Sequence, residues 1–442
     1  MPTFNDKKAS DVQKHKSIWI AEQMWQSAQD VLYCNGSFYQ WEGRIYKKID
    51  DMDWIILMTK RFPAFDESSP AKQKEILEVY RMFAKTPIEE FNKEDGLCLQ
   101  NKYVNLDDLN VYEHDKKRIN TILIPYDYDP IVECPLWITT IADILEGNNN
   151  KIRTLQEFFG YCLTKQTKYE KALFLTGEGG TGKSVILDCL LYMLSVKNVS
   201  FISLRHFSDS VRLQSIENKM VNICTEISKK VEDYEEMFKK IVTGEYIQVS
   251  PKYIPQYDIK PHAKLIFAVN QWPHIDDQSS AFFRRMLILT LNKIYPEEMY
   301  DRDLKEKLKS ETQGILNWAL IGLKRLREQK GFYMTEEMKE DIREVRNLNN
   351  PVALWAEENI RIEKGKEIAK KEVYQKYSVW CQLNGYKPLG HAKFSMELHR
   401  IFKSVTKKNV RSSLGDRPYV WPNLTWVLPE SVPSENQAVW DD

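Results

Sequence analysis

One stretch constrains this chain more than any other: Gly177-Glu178-Gly179-Gly180-Thr181-Gly182-Lys183-Ser184. It satisfies the phosphate-loop pattern G-x-x-x-x-G-K-[ST] at every fixed position. Lys171 to Thr176, just before it, is a short apolar run of strand length. Behind it, Val185, Ile186, Leu187, Leu190, Leu191 and Leu194 recur at helical spacing. In a strand–loop–helix context the glycines let backbone N–H groups curl around phosphate oxygens, and the helix N-terminus adds positive potential. Lys183 is then expected to reach the β- and γ-phosphates, and the Ser184 hydroxyl to hold Mg²⁺. A chance glycine-rich turn before a core helix is the bland alternative, and a match at every position with both flanks correct argues against it. The sequence therefore predicts a site for ATP and Mg²⁺.

The chain has 442 residues, enough for several domains. Its 63 Lys and Arg balance its 63 Asp and Glu, so any nucleic-acid surface must be a local patch. Seven scattered cysteines without a C-x-x-C pair point to reduced thiols and a cytoplasmic protein, not to zinc or disulfides. No apolar run approaches the length of a membrane span, so no membrane partner is expected.

Taken in order, residues 1–16 read as disordered and 17–125 as a small α+β domain. That domain has a helix over 18–31 and a β-hairpin turning at Glu42-Gly43. Residues 126–170 read as a linker and a helical collar, with helices over 137–145 and 155–163. Asp127-x-Asp129 resembles a two-metal site, but Pro125 and Pro130 bracket it and nothing later completes a cluster, so the linker reading is preferred. Apolar runs at 171–176, 199–204, 219–224, 264–269 and 286–290, with helices between, predict a parallel α/β sheet over 171–330. One long amphipathic helix is expected over 303–327. Residues 331–428 predict three helices followed by a β-wing, a winged-helix-like module, and 429–442 an acidic tail.

Beyond the loop, chemistry is expected at strand ends. Met220 to Thr225 is an apolar run ending in Glu226, placed to act on Mg²⁺ or the attacking water. Lys264 to Val269 ends in Asn270, which can bond the γ-phosphate or open a turn toward Pro273. Arg284 and Arg285 precede the last strand; such a pair is either solvated surface charge or a finger that crosses to a neighbour's γ-phosphate. A hairpin after Gly244 carries Lys252 and Tyr253, a cation beside an aromatic, suited to a phosphate and a base. Residues 387–417 hold eight Lys and Arg, among them Lys393, Lys403, Lys407, Lys408 and Arg411, against Glu397 and Asp416, a local charge of +6.

This order of motifs resembles the superfamily 3 helicases of the AAA+ class, in the phage, plasmid and poxvirus primase-helicase branch. The resemblance rests on residues 177–184, Glu226, 238–245, Pro251-Lys252-Tyr253, Asn270 and Arg284-Arg285, and extends over about residues 20–425. It implies an AAA+ ATPase that forms a homo-hexameric ring and moves 3′ to 5′ along single-stranded DNA, unwinding forked DNA. Glu226 matches the Walker B acid, Asn270 sensor 1, Arg285 the arginine finger and Lys252 the pore-hairpin lysine. Thr225 departs from the pattern, standing where many relatives carry a first acid, and Arg284 leaves the finger ambiguous by one position. No catalytic primase domain is evident, so a separate primase, polymerase or initiator is the expected partner. A nucleotide-gated DNA-binding initiator is the rival reading. A small-molecule P-loop kinase lacks support, since nothing resembles a lid for a nucleoside monophosphate.

Overall fold

The computed structural model describes residues 4–225, 234–252, 255–273, 275, 280–348, 350–402, 410–411 and 419–427, with backbone alone for 4–15, 348 and 410–411. It divides into two compact units, Met1–Pro273 with Arg284–Met338, and His274–Phe283 with Lys339–Asp442.

The first unit opens with α1 (Phe4–Ser27). The expectation of disorder through residue 16 is corrected: no Gly or Pro interrupts residues 4–27, so the helix propagates toward the N-terminus from its packed half, where Ile20, Ala21 and Met24 are buried. It also stops short of Val31, because β1 (Val31–Cys34) pairs with β2 (Ser37–Trp41) across Asn35-Gly36, both at positive φ. β3 (Tyr46–Ile49) completes the sheet through the expected hairpin, Trp41 opposite Tyr46. Helices α2 (Asp51–Arg61), α3 (Pro63–Asp66) and α4 (Pro70–Phe83) close over Trp54, Phe65 and Tyr80, all fully buried.

The sheet β4 (Gly96–Cys98), β5 (Tyr103–Asn105) and β6 (Val111–Tyr112) was expected to belong to this N-terminal domain. Its buried Leu97, Leu99, Val104 and Leu106 instead share one apolar core with the phosphate-loop sheet, as do Ile122 and Ile124. No packing boundary falls at 125.

α5 (Pro135–Ile144) and α6 (Asn149–Cys162) follow, the latter capped by the Asn148 carboxamide. Then come β7 (Ala172–Thr176), α7 (Lys183–Leu194), β8 (Val199–Ser200), α8 (Ser210–Leu213), β9 (Val221–Cys224) and α9 (Glu235–Thr243). The strands β10 (Ile247–Val249) and β11 (Tyr257–Ile259) form an antiparallel hairpin, and β12 (Lys264–Val269) returns to the main sheet. α10 (Ser280–Phe283) precedes β13 (Met286–Thr290). The main sheet is parallel throughout, in the order β13-β7-β12-β9-β8. β12 is buried at every position between two neighbours, which is why it reads as an unbroken apolar run. β8 is shorter than expected because the buried Asn222 carboxamide takes both the N–H and the C=O of Ile202, at 2.8 and 2.9 Å, where a ladder would continue.

The expected long helix is two, α11 (Leu304–Ser310) and α12 (Thr312–Glu328), broken at Glu311. The Glu311 carboxylate turns away to accept the Leu136 and Trp137 N–H groups at 3.0 and 2.8 Å, capping α5. α12 lies against α6 so closely that a Cβ on Gly160 or Gly322 would strike the partner backbone at 2.5 or 2.2 Å.

α13 (Glu336–Leu348) runs from the first unit into the second, which adds α14 (Pro351–Asn359), β14 (Ile360–Ala369), α15 (Lys370–Leu383), α16 (His391–Ile401), β15 (Val410–Arg411) and β16 (Tyr419–Trp426). The strands form an antiparallel sheet in the order β14-β16-β15. The three helices match expectation; β14 was not foreseen, and the strands after α16 are the short β15 and the long β16.

Candidate nucleotide site

The phosphate loop joins β7 to α7, and its glycines adopt backbone that side chains resist. Gly177 has φ 150° and Gly182, the residue before α7, φ 89°. A Cβ on Gly177 would lie 2.4 Å from the Leu291 carbonyl oxygen. The first N–H groups of the twelve-residue α7 open toward the loop, a geometry that favours anions.

Lys183 is 8% exposed, and its Nζ donates to the carbonyls of Gly177 and Glu178 at 2.7 and 2.6 Å and approaches Thr181 Oγ1 at 3.2 Å. All three are neutral oxygens. Burial holds its pKa below the usual lysine value, and among the described residues no carboxylate offsets that cost. A phosphate would.

Parallel strands bring the other candidates to the same end of the sheet. Gly177 N–H donates to the Val269 carbonyl at 3.2 Å, so Asn270, exposed just after β12, stands beside the loop. Thr225 follows β9 and is likewise exposed. Ser184, Thr225 and Asn270 all line one cavity of about 730 Å³, within the range of nucleotide-sized sites. Glu226, the expected acid, lies outside the described residues.

Sequence reading missed the wall that faces the loop. Residues 291–300 fold back over it, with the Tyr295 N–H donating to the Gly180 carbonyl at 3.0 Å. The Asp143 carboxylate accepts from Lys293 Nζ at 2.5 Å and Tyr295 Oη at 2.6 Å, fixing this segment to α5. Those two bonds hold the Asp143 carboxyl below the usual range, Lys293 contributing most. Ile144, Tyr295, Met299 and Tyr300 give the cavity an apolar wall. No local motif marks them; their part depends on contact with a helix about 150 residues earlier in the chain.

Arg284 and Arg285 are elsewhere. They precede β13, which runs parallel to β7, so they sit at the opposite end of the sheet, about 17 Å away along the strand. Both approach Glu170, at 3.5 and 3.3 Å. The Arg285 side chain is 7% exposed, that of Arg284 62%. Of the two, Arg284 is placed to reach out.

Lys252 is exposed beyond the end of the β10–β11 hairpin, as expected; Tyr253 lies outside the described residues. At the hairpin's open end Lys260 lies 5.7 Å over the ring of Tyr246, a second exposed cation–aromatic pair. In the second unit Lys393 is exposed on α16, and Arg411 is placed in β15 by its backbone. Lys403, Lys407 and Lys408 lie outside the described residues.

Three family models match in series. A D5 N terminal like model matches residues 19–146 and a Poxvirus D5 protein-like model matches 347–425. The chain belongs to the D5-like branch. Between those matches, residues 175–285 of this D5-like chain match a family of unknown function, which spans the loop, Asn270 and the arginine pair. The N-terminal match also runs past 125 into α5, in keeping with the shared core. Among solved structures, the apo C-terminal region of NrS-1 aligns at TM-score 0.55 and 13% identity, over 92% of this chain and 99% of that one. Its A form gives 0.54 with the same identity and coverage, so the likeness is one of fold. No curated protein matches. No helix among the described residues is long and apolar enough to cross a membrane.

Proposed function

We propose that this D5-like chain is an ATP hydrolase working as a ring-shaped helicase on single-stranded DNA, in the replication of a virus, phage or mobile element. One observation carries the reading. Adjacent parallel strands deliver the phosphate loop, Asn270 and the Thr225 end of β9 to a single cavity, while exposed Arg284 stands at the far edge, out of reach of its own loop. In strand numbering from the loop the sheet runs 5-1-4-3-2, which sets the loop strand between the strand that ends at Asn270 and the strand that follows Arg285. The loop N–H groups and Lys183 would hold the β- and γ-phosphates. Ser184 and Glu226 would hold Mg²⁺, which supplies charge neutralisation on the transferring phosphoryl group. Asn270 would orient the attacking water, and Arg284 would complete the site of a neighbouring copy. The glycine cradle and a buried lysine lacking a charge partner fit this ligand.

Lys252 at an exposed hairpin tip favours a motor over an initiator that merely switches assembly. In the second unit, the order helix–strand–helix–helix–strand–strand with the basic run 387–417 supports a winged-helix module that engages DNA backbone. Hexamer stoichiometry and 3′-to-5′ polarity follow from the family resemblance. The test is strand separation on forked DNA by the full chain. Unwinding that requires ATP and is lost in Lys183→Ala supports the motor. ATP-dependent DNA binding without strand separation would replace it with the initiator.

A further inference from the structure

Outside the nucleotide site, a groove of about 760 Å³ lies between the N-terminal hairpin and residues 201–219. Neither the phosphate loop nor the pore-hairpin lysine touches it. Its described lining carries the side chains of Lys47, Lys48, Arg212 and Lys219 against the carboxylate of Glu217. Glu217 is engaged with the Tyr257 hydroxyl at 2.9 Å. In a chain of zero net charge, that balance is a concentrated positive patch.

Two further features give the groove direction. Phe201 stands 56% exposed on its wall, a large apolar face for which folding alone gives no reason. Next to it, Arg212 Nη1 lies 2.6 Å from His206 Nε2, and Arg205 Nε donates to the same nitrogen at 3.2 Å. That nitrogen must accept, so the imidazole is neutral and two guanidiniums converge beside Asp209, which lies 3.3 Å from Arg212. Arginines gathered around a neutral ring retain donors for an outside anion. Lys47 is also paired, with Glu42 at 3.2 Å, but both partners are exposed and the pair is weak.

Cations spaced along an open groove, with an aromatic face among them, form the composition that binds a polynucleotide strand through its phosphates and one stacked base. We propose that this groove is a second binding site for single-stranded polynucleotide, with Arg212, Lys48 and Lys219 on phosphates and Phe201 beneath a base. The site goes beyond the motor reading and does not depend on it: it would guide a strand at the N-terminal hairpin whatever ATP hydrolysis drives. A protein ligand would need apolar area that this groove offers at Phe201 and Val211 alone among its exposed lining residues.

The experiment measures fluorescence anisotropy of labelled oligothymidylate and oligouridylate with the full chain, without nucleotide, across a salt series. Phe201→Ala, at an exposed position, should weaken binding about tenfold, the loss of one stacked base. Lys48→Glu with Arg212→Glu should flatten the salt dependence by about 0.7 for each phosphate no longer neutralised. Both variants should hydrolyse ATP at the parental rate in the absence of DNA. Weakened binding of both oligonucleotides assigns the groove to the shared backbone and base chemistry; weakened binding of oligothymidylate alone assigns it to DNA. Unchanged affinity and salt slope for both in both variants overturns the site. Failure of the motor reading would register separately, as parental hydrolysis in Lys183→Ala.

Discussion

The two ends of the parallel sheet hold buried cations on opposite terms. At the loop end, Lys183 is buried against neutral oxygens that leave its charge uncompensated, beside a cavity open to a ligand. At the other end, Lys264 is 2% exposed, donates to the carbonyls of Thr164 and His262 at 2.9 and 2.6 Å, and lies 4.6 Å over the Tyr161 ring. Lys171 likewise donates to the Arg284 and Met286 carbonyls. Similar residues thus serve two purposes. One end keeps donors poised for an outside anion, the other uses them to satisfy backbone where strands begin. Burial alone does not mark a functional lysine; an accessible cavity beside it does.

The comparison breaks first at Lys183. Lys183→Ala should reduce ATP hydrolysis by a hundredfold or more, roughly the effect of removing a preorganised donor, while leaving thermal stability close to parental. Hydrolysis at the parental rate would move the nucleotide site elsewhere. Arg284→Ala should cost about 10³-fold in the assembled protein, whereas Arg285→Ala, removing a buried group, should lower the melting temperature first. Mixing Arg284→Ala with Lys183→Ala subunits should restore part of the activity, since some interfaces then pair an intact loop with an intact arginine. Mixtures that co-assemble and stay inactive would remove the shared site.

What could be read from sequence was local. The phosphate loop is a contiguous pattern, and β7, β12 and β13 are apolar runs buried on both faces, so each announced itself. β14 did not: its Arg361, Glu363, Lys364, Lys366 and Glu367 give it the look of a charged loop, and only pairing with β16 makes it a strand. Residues 96–125 joined the core of the phosphate-loop sheet because Leu97 and Val104 found apolar partners there, a choice no window of sequence contains. The Asp143–Tyr295 wall was invisible for the same reason. Asn35-Gly36, by contrast, is a strong hairpin signal that was present and passed over.

The Lys264 end sharpens the comparison through pH. Burial lowers the Lys264 pKa to about 8, well below the ordinary lysine value, with Cys162 and Asp95 pulling weakly the other way. Between the two values the unfolded chain holds the proton that the folded chain has shed, so folding gains stability as pH rises through the window. Lys264→Met lacks that gain and leaves two carbonyls unsatisfied, so it should melt several degrees lower. Its deficit should widen from about pH 8 to about pH 10, the span between the folded and unfolded values. A deficit independent of pH would mean that the amine titrates alike in both states.

The smallest effect belongs to Asp143, which touches no phosphate-loop atom but holds Lys293 and Tyr295 over the loop. Asp143→Asn keeps an acceptor for one donor and loses the charge facing Lys293. The carboxylate is 56% exposed and Lys293 38%, so solvent screens the pair and its net value is below about 1 kcal/mol. That predicts a rise of at most about fivefold in KM for ATP with kcat unchanged, the signature of weakened binding rather than lost chemistry. Because the interaction is an exposed ion pair, raising the salt concentration should bring the parental KM toward that of the variant. A fall in kcat instead would place Asp143 in contact with the reacting groups, and the loop end of the sheet would then contain a catalytic carboxylate on α5.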